Sequence, residues 1–227
     1  MRDRVLFHVN GRACSARGEA AFRSLAEFLR AALQQTGTKV VCAEGDCGAC
    51  TVLVGRADGD RLRYKAVDSC ILFLYQLDGK HVVTVEGLAE GGRLHPVQEA
   101  LIAGHGSQCG YCTPGFVMAL AGLCQESDPA DPQTLRLGLT GNLCRCTGYL
   151  PILEAASSLR TTSLEGRYPS AALLADLREQ ARQPLLSCQN VTQAGPSPPT
   201  SCSRPGRALR RPERSRRLKS PTIGNLR

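Results

Sequence analysis

Eight of the twelve cysteines fall into two constellations, and these constrain the chain more than any other feature. The first is Cys42-x4-Cys47-x2-Cys50, with Cys70 after a gap of 19 residues; the second is Cys109-x2-Cys112 followed by Cys144-x-Cys146. A disulfide framework would call for an oxidising compartment and usually a signal peptide. The N-terminus, Met1 to Asn10, has an apolar stretch too short for a secretory core, interrupted by His8 and Asn10. No run of about 18 apolar residues offers a membrane span. The chain therefore reads as cytoplasmic, where clustered thiols are more often metal ligands than bridges.

In the first constellation one loop supplies three thiols and a distant residue the fourth, the spacing of plant-type 2Fe-2S ferredoxins. Four thiolates must surround two irons held close together, so the loop has to fold sharply. Gly45 and Gly48 permit that, and their lack of side chains lets peptide N–H groups approach the cluster sulfurs. The alternative is zinc, whose four-cysteine sites usually pair two similar Cys-x2-4-Cys hooks. The second constellation takes two ligands from each of two loops. Thr113-Pro114 and the stretch from Gly148 to Pro151 are helix-start signals, so both cysteine pairs fall at or just before helix N-termini, which favour anionic thiolates. A redox dithiol or half a zinc site are the competing readings for Cys109-x2-Cys112 alone. Cys14 and Cys124 read as packing residues, and Cys188 and Cys202 have no partner spacing.

Around these loops the pattern is α+β. Val5–Val9 followed by Asn10-Gly11 is a strand entering a tight hairpin. Leu25, Phe28, Leu29, Ala32 and Leu33 recur at helical spacing, with Ser24 as N-cap, Glu27 as capping-box partner and Gly37 as the stop. Strand signals follow at Thr51–Val54, Leu62–Val67 and Val82–Val85. A Gly- and Glu-rich boundary lies at Glu86 to Gly92. Helices are then expected over Pro96–Ala103, Pro114–Gln125, Asp131–Leu139 and Pro151–Leu159. The expected organisation is a β-grasp-like plant-type 2Fe-2S ferredoxin domain over residues 1–88, an all-α 2Fe-2S-binding four-helix domain over 89–163, and a linker with a disordered basic tail over 164–227.

Charge supports that division. Of 28 Lys/Arg and 20 Asp/Glu, nine basic residues and only Glu213 lie beyond residue 186, so the body is neutral and the tail carries the whole net charge of +8. Lacking aromatic residues to stack on bases, the tail reads as solvated chain, with no nucleic acid or membrane as partner. His8, His81, His95 and His105 form no triad or ligand arrangement, and His105 reads as a helix-end residue. No catalytic residues are expected.

Three segments, Cys42-Ala-Glu-Gly-Asp-Cys-Gly-Ala-Cys-Thr51, His105-Gly-Ser-Gln-Cys-Gly-Tyr-Cys-Thr-Pro-Gly115 and Gly141-Asn-Leu-Cys-Arg-Cys-Thr-Gly-Tyr149, closely resemble the iron–sulfur part of molybdenum hydroxylases such as the small subunit of bacterial xanthine dehydrogenase. Asp68-Ser-Cys-Ile71 and Leu77-Asp-Gly79 before Thr84-Val-Glu-Gly87 add to the match, which covers about Val5 to Leu159. The resemblance implies an electron-transfer subunit beside a molybdopterin-binding large subunit. The cluster of Cys109, Cys112, Cys144 and Cys146 would lie nearer the molybdenum cofactor, with Gln108 near the pterin, and that of Cys42, Cys47, Cys50 and Cys70 would pass electrons towards FAD. No FAD domain follows, so the resemblance places flavin on another subunit or implies a truncated product. The swing in composition near Leu186 resembles reading in a shifted frame. The competing functions are a zinc-stabilised interaction module with a nucleic-acid-binding tail, and a free-standing ferredoxin-like carrier.

Overall fold

The computed structural model describes residues 2–126, 131–162, 164, 167–168, 170–183, 185 and 201–202. Strands β1 (Arg4–Val9) and β2 (Arg12–Arg17) pair antiparallel across Asn10 and Gly11, whose φ angles of 50° and 75° are those a two-residue hairpin needs. Ser24 caps helix α1 (Leu25–Glu27), its Oγ accepting from the Glu27 N–H at 3.2 Å. The helix then widens over Phe28–Ala32, where the Leu33 N–H reaches the Phe28 carbonyl. The residue that turns the chain out of the helix is Gln34, at φ 57°, not Gly37. Gly37 is small for another reason: a Cβ there would lie 2.6 Å from Glu86 Oε1 and from Val85.

Strands β3 (Thr51–Asp58) and β4 (Arg61–Asp68) form the second hairpin, and β5 (His81–Val83) lies between β3, antiparallel, and β1, parallel. With β6 (Ser201–Cys202) the sheet order is β4-β3-β5-β1-β2-β6. Alternation along β3 sends Val52 to one face and Leu53 to the other. Val52 joins Phe7, Val9, Leu25, Phe28, Leu29, Leu77 and Val82 under α1. Leu53 joins Val83, Val97, Phe116, Leu120, Ile152 and Leu177 beneath the later helices. The sheet is thus covered on both faces.

Those helices are α2 (Val85–Leu88), α3 (Pro96–Ala103), α4 (Thr113–Glu126), α5 (Pro132–Gly138), α6 (Leu150–Ser157) and α7 (Ser170–Arg182). From Phe116 to Ala121 every residue of α4 is buried, as a helix without a polar face must be. His105, at φ 51°, closes α3.

Helix α7 lies in the stretch expected to be linker. Leu173, Leu174 and Leu177 bury one face of it, His8 Nε2 meets Asp176 at 2.9 Å, and the Arg2 guanidinium donates to the Gln180 carbonyl while pairing with Asp78. Cys14 is buried as expected of a packing residue, yet it is disulfide-bonded, and β6 sets the Cys202 backbone in register with it. Cys124 is fully buried in α4, as a packing residue would be. Cys188 and the Pro/Arg/Ser-rich stretch fall outside the described residues. Among the described residues no helix is long and apolar enough to cross a membrane.

His81 sits fully buried where β5 meets the hairpin turn. Its Nε2 accepts from the Gly11 N–H at 3.0 Å, so Nδ1 carries the proton and donates to Tyr64 Oη at 2.7 Å. Burial, aided by His8, pushes its pKa down to about 3. The unfolded chain therefore protonates this histidine first. Stability is full above about pH 6.5 and declines as pH falls towards 3, by about 1.4 kcal/mol between pH 7.5 and 5.5. Urea titrations at those two pH values should show the drop, and a smaller one in His81→Gln; equal drops would contradict the assignment.

Candidate metal-cluster site

The loop between α1 and β3 carries three of the expected ligands. Ala43, Gly45 and Gly48 all take left-handed φ, at 60°, 79° and 66°. The coil they form turns backbone N–H groups of Glu44, Asp46 and Cys47 onto the Cys42 sulfur, holding that thiol at about 6. Cys47 Sγ lies beside Cys42 Sγ, and Cys50 Sγ beside Cys70 Sγ. Cys50 is buried at the start of β3, and burial pushes its thiol up to about 12. Cys70 is brought to it by Ser69, whose hydroxyl donates to the Cys50 carbonyl at 2.7 Å.

The second set is assembled from two loops. Cys109 and Cys112 follow α3, and Cys112 directly precedes α4; Cys144 and Cys146 lie between α5 and α6. Here the thiols again meet in twos, Cys109 with Cys146 and Cys112 with Cys144. The Tyr111 N–H and then Cys146 hold Cys109 low, while Cys109 pushes Cys146 up. Burial and then Cys144 push Cys112 up to about 12. Burial alone would raise Cys144, but the Thr147 hydroxyl at 3.1 Å and the Thr147 N–H lower it. Tyr149, left-handed at φ 70° ahead of α6, turns its hydroxyl back to accept from the Cys144 N–H at 3.0 Å.

The eight expected cysteines therefore meet as four thiol pairs, and in the second set the two pairs lie close enough for Cys109 to act on Cys112 and Cys144 on Cys109. Among the described residues no three His, Cys, Asp or Glu side chains are placed to share one ion. Thiols that meet in pairs suit a binuclear cluster, in which each iron takes two thiolates and completes its coordination with inorganic sulfide. The N–H groups aimed at Cys42 and Cys109 suit an anionic cluster. Gln108 is exposed beside Cys109.

Sequence reasoning missed the residues that join the two sites. Asn142 is 5 % exposed and its Nδ2 donates to the Gly48 carbonyl at 3.0 Å. The Leu143 N–H donates to the Cys47 carbonyl at 3.0 Å, and Tyr111 Oη to the Val40 carbonyl at 3.3 Å. The only signal was Asn142 standing just before the Cys-x-Cys; its partner lies 94 residues away.

A substitution pair checks the loop geometry. A Cβ at Gly48 would lie 2.4 Å from both Asn142 Nδ2 and the Gly141 carbonyl, whereas at Gly59, also left-handed, it would meet nothing within 4 Å. Gly59→Ala should cost about 1–2 kcal/mol, the strain of the backbone alone, and Gly48→Ala clearly more. Thermal unfolding of both variants would contradict this packing if the losses were equal.

Two domain families match the chain: a 2Fe-2S iron-sulfur cluster binding domain over residues 7–73 and a 2Fe-2S binding domain over 84–157. Each match encloses one cysteine set. Among curated proteins, a xanthine dehydrogenase from Blastobotrys adeninivorans is 43 % identical over 69 % of this chain and 11 % of its own length. Aldehyde oxidase 3 from Mus musculus is 42 % identical over 71 % of this chain and 12 % of its own. The chain thus spans about a tenth of those proteins. Among solved structures, quinoline 2-oxidoreductase from Pseudomonas putida 86 superposes with a TM-score of 0.59 at 32 % identity, covering 78 % of this chain and 96 % of that one. Aldehyde oxidoreductase from Desulfovibrio gigas gives 0.61 at 33 %, covering 75 % and 18 %. With both domains matched in order and nearly the whole of one solved chain covered, this chain belongs to the iron–sulfur family of the molybdenum hydroxylases.

Proposed function

We infer that this chain is the electron-transfer subunit of a xanthine dehydrogenase-like molybdenum hydroxylase in the cytoplasm. The observation that carries the reading is the meeting of eight thiols in four pairs at two sites. Cys42, Cys47, Cys50 and Cys70 are the ligands at one site, and Cys109, Cys112, Cys144 and Cys146 at the other. A 2Fe-2S cluster, when bound, supplies one-electron redox chemistry. The protein's part is to keep eight thiolates in place, to aim N–H groups at them and to exclude water from Cys50 and Cys144, which are buried.

Cys109, Cys146 and Gln108 stand exposed on the helical side, where a molybdopterin-binding large subunit would approach, with Gln108 as the residue offered to the pterin. The loop of Cys42 to Cys50 faces a flavin carried by another chain. A quinoline 2-oxidoreductase chain of which this one covers 96 % supports reading the two iron–sulfur domains as a unit that works beside molybdopterin- and FAD-binding partners. Helices α3 to α6 act as one four-helix unit around the second site, α3 packing on α6 and on α4 and α5 on α6. No nucleic acid or membrane partner is part of this reading.

Cys47→Ser tests the ligand assignment. It should remove one of two distinct paramagnetic signals from the reduced protein and leave the other, with iron and sulfide both falling by half. Retention of both signals at full intensity would exclude Cys47 as a ligand.

A further inference from the structure

We propose that Asn142 is a positioning residue that fixes the separation of the two cysteine sites by hydrogen-bonding the loop of one to the loop of the other. The proposal rests on reading both loops as 2Fe-2S sites. Asn142 stands two residues before Cys144, and its Nδ2 donates across to the carbonyl of Gly48, between Cys47 and Cys50, and to Thr51 Oγ1 at 3.3 Å. That carbonyl also accepts from the Thr51 hydroxyl at 2.6 Å, so the first loop holds its end of the contact rigidly. The next residue repeats the bridge through its backbone, Leu143 N–H to the Cys47 carbonyl.

The junction has no slack. A Cβ on Gly115, in the first turn of α4, would lie 2.1 Å from the Gly48 carbonyl oxygen, and one on Gly48 would strike Asn142 itself. The first loop is therefore gripped between α4 and Asn142. The chemistry at position 142 is specific. A primary amide brings two donors on a short stem to two acceptors; a carboxylate would set charge against the Gly48 carbonyl, and an apolar side chain would leave that buried group a donor short. Electron tunnelling and magnetic coupling both weaken steeply with distance, so this contact governs how strongly the two sites sense each other.

Low-temperature paramagnetic resonance of the fully reduced chain, with iron and sulfide assayed on the same sample, tests this. In the wild type the two reduced clusters should split each other's lines. Asn142→Ala and Asn142→Asp should lose the splitting at unchanged iron content, and Thr51→Val, which removes both the weaker acceptor and the hydroxyl that steadies the Gly48 carbonyl, should reduce it. Splitting that persists in Asn142→Ala at full iron, or is missing from the fully loaded wild type, overturns the proposal. If Asn142→Ala fails to load, Thr51→Val decides: reduced splitting supports the role and unchanged splitting refutes it. A wild-type chain without iron would instead sink the cluster reading itself.

Discussion

Thiolates repel one another, and this structure brings eight cysteine sulfurs together in four close pairs. At the second site one sulfur of each pair is relieved by a peptide N–H or a hydroxyl while the other is pushed up, Cys109 and Cys144 being held down against Cys146 and Cys112; at the first, peptide N–H groups relieve Cys42 and burial opposes ionisation of Cys50. Such crowding persists only where the surrounding backbone is over-determined. A coordinated metal resolves it, because a ligating thiol gives up its proton outright.

The rest of the fold supplies that over-determination. Three left-handed residues coil the first loop, and the two-sided sheet beneath it anchors Cys50 at the head of β3 and Cys70 just past β4. Helix α4 runs through the middle with its flank against β3 and β4, so close that a Cβ on Gly122 would touch Leu53 and Ala66. Its first residue follows Cys112. One helix therefore sets the second site against the sheet that carries the first, and the two domains recognised in sequence make a single packed unit around α4.

Local features of this arrangement were legible in the sequence. Asn10-Gly11 marked the hairpin, Ser24 the cap of α1, Pro96 the start of α3, and the thiol spacing the division of eight cysteines into two fours. What escaped was non-local or locally ambiguous. Ala43 takes a left-handed φ that its residue type does not announce, and Gln34 rather than Gly37 turns the chain after α1. Helix α7 hides among Arg, Glu, Asp and Gln because its apolar stripe is only three leucines wide. Asn142 reads as an ordinary loop amide until folding brings Gly48 to it across 94 residues. Pattern reports what a residue does to its neighbours in the chain, and these residues act on distant ones.

The central claim is that the chain holds two binuclear iron–sulfide centres. Anaerobic purification, or reconstitution with ferrous iron and sulfide, followed by quantitative iron and acid-labile sulfide assays tests it most directly. The account predicts two irons and two sulfides for each of the two sites, with the red-brown absorption of sulfur-to-iron charge transfer. A colourless protein that retains zinc, or one that takes up neither iron nor sulfide, would contradict it.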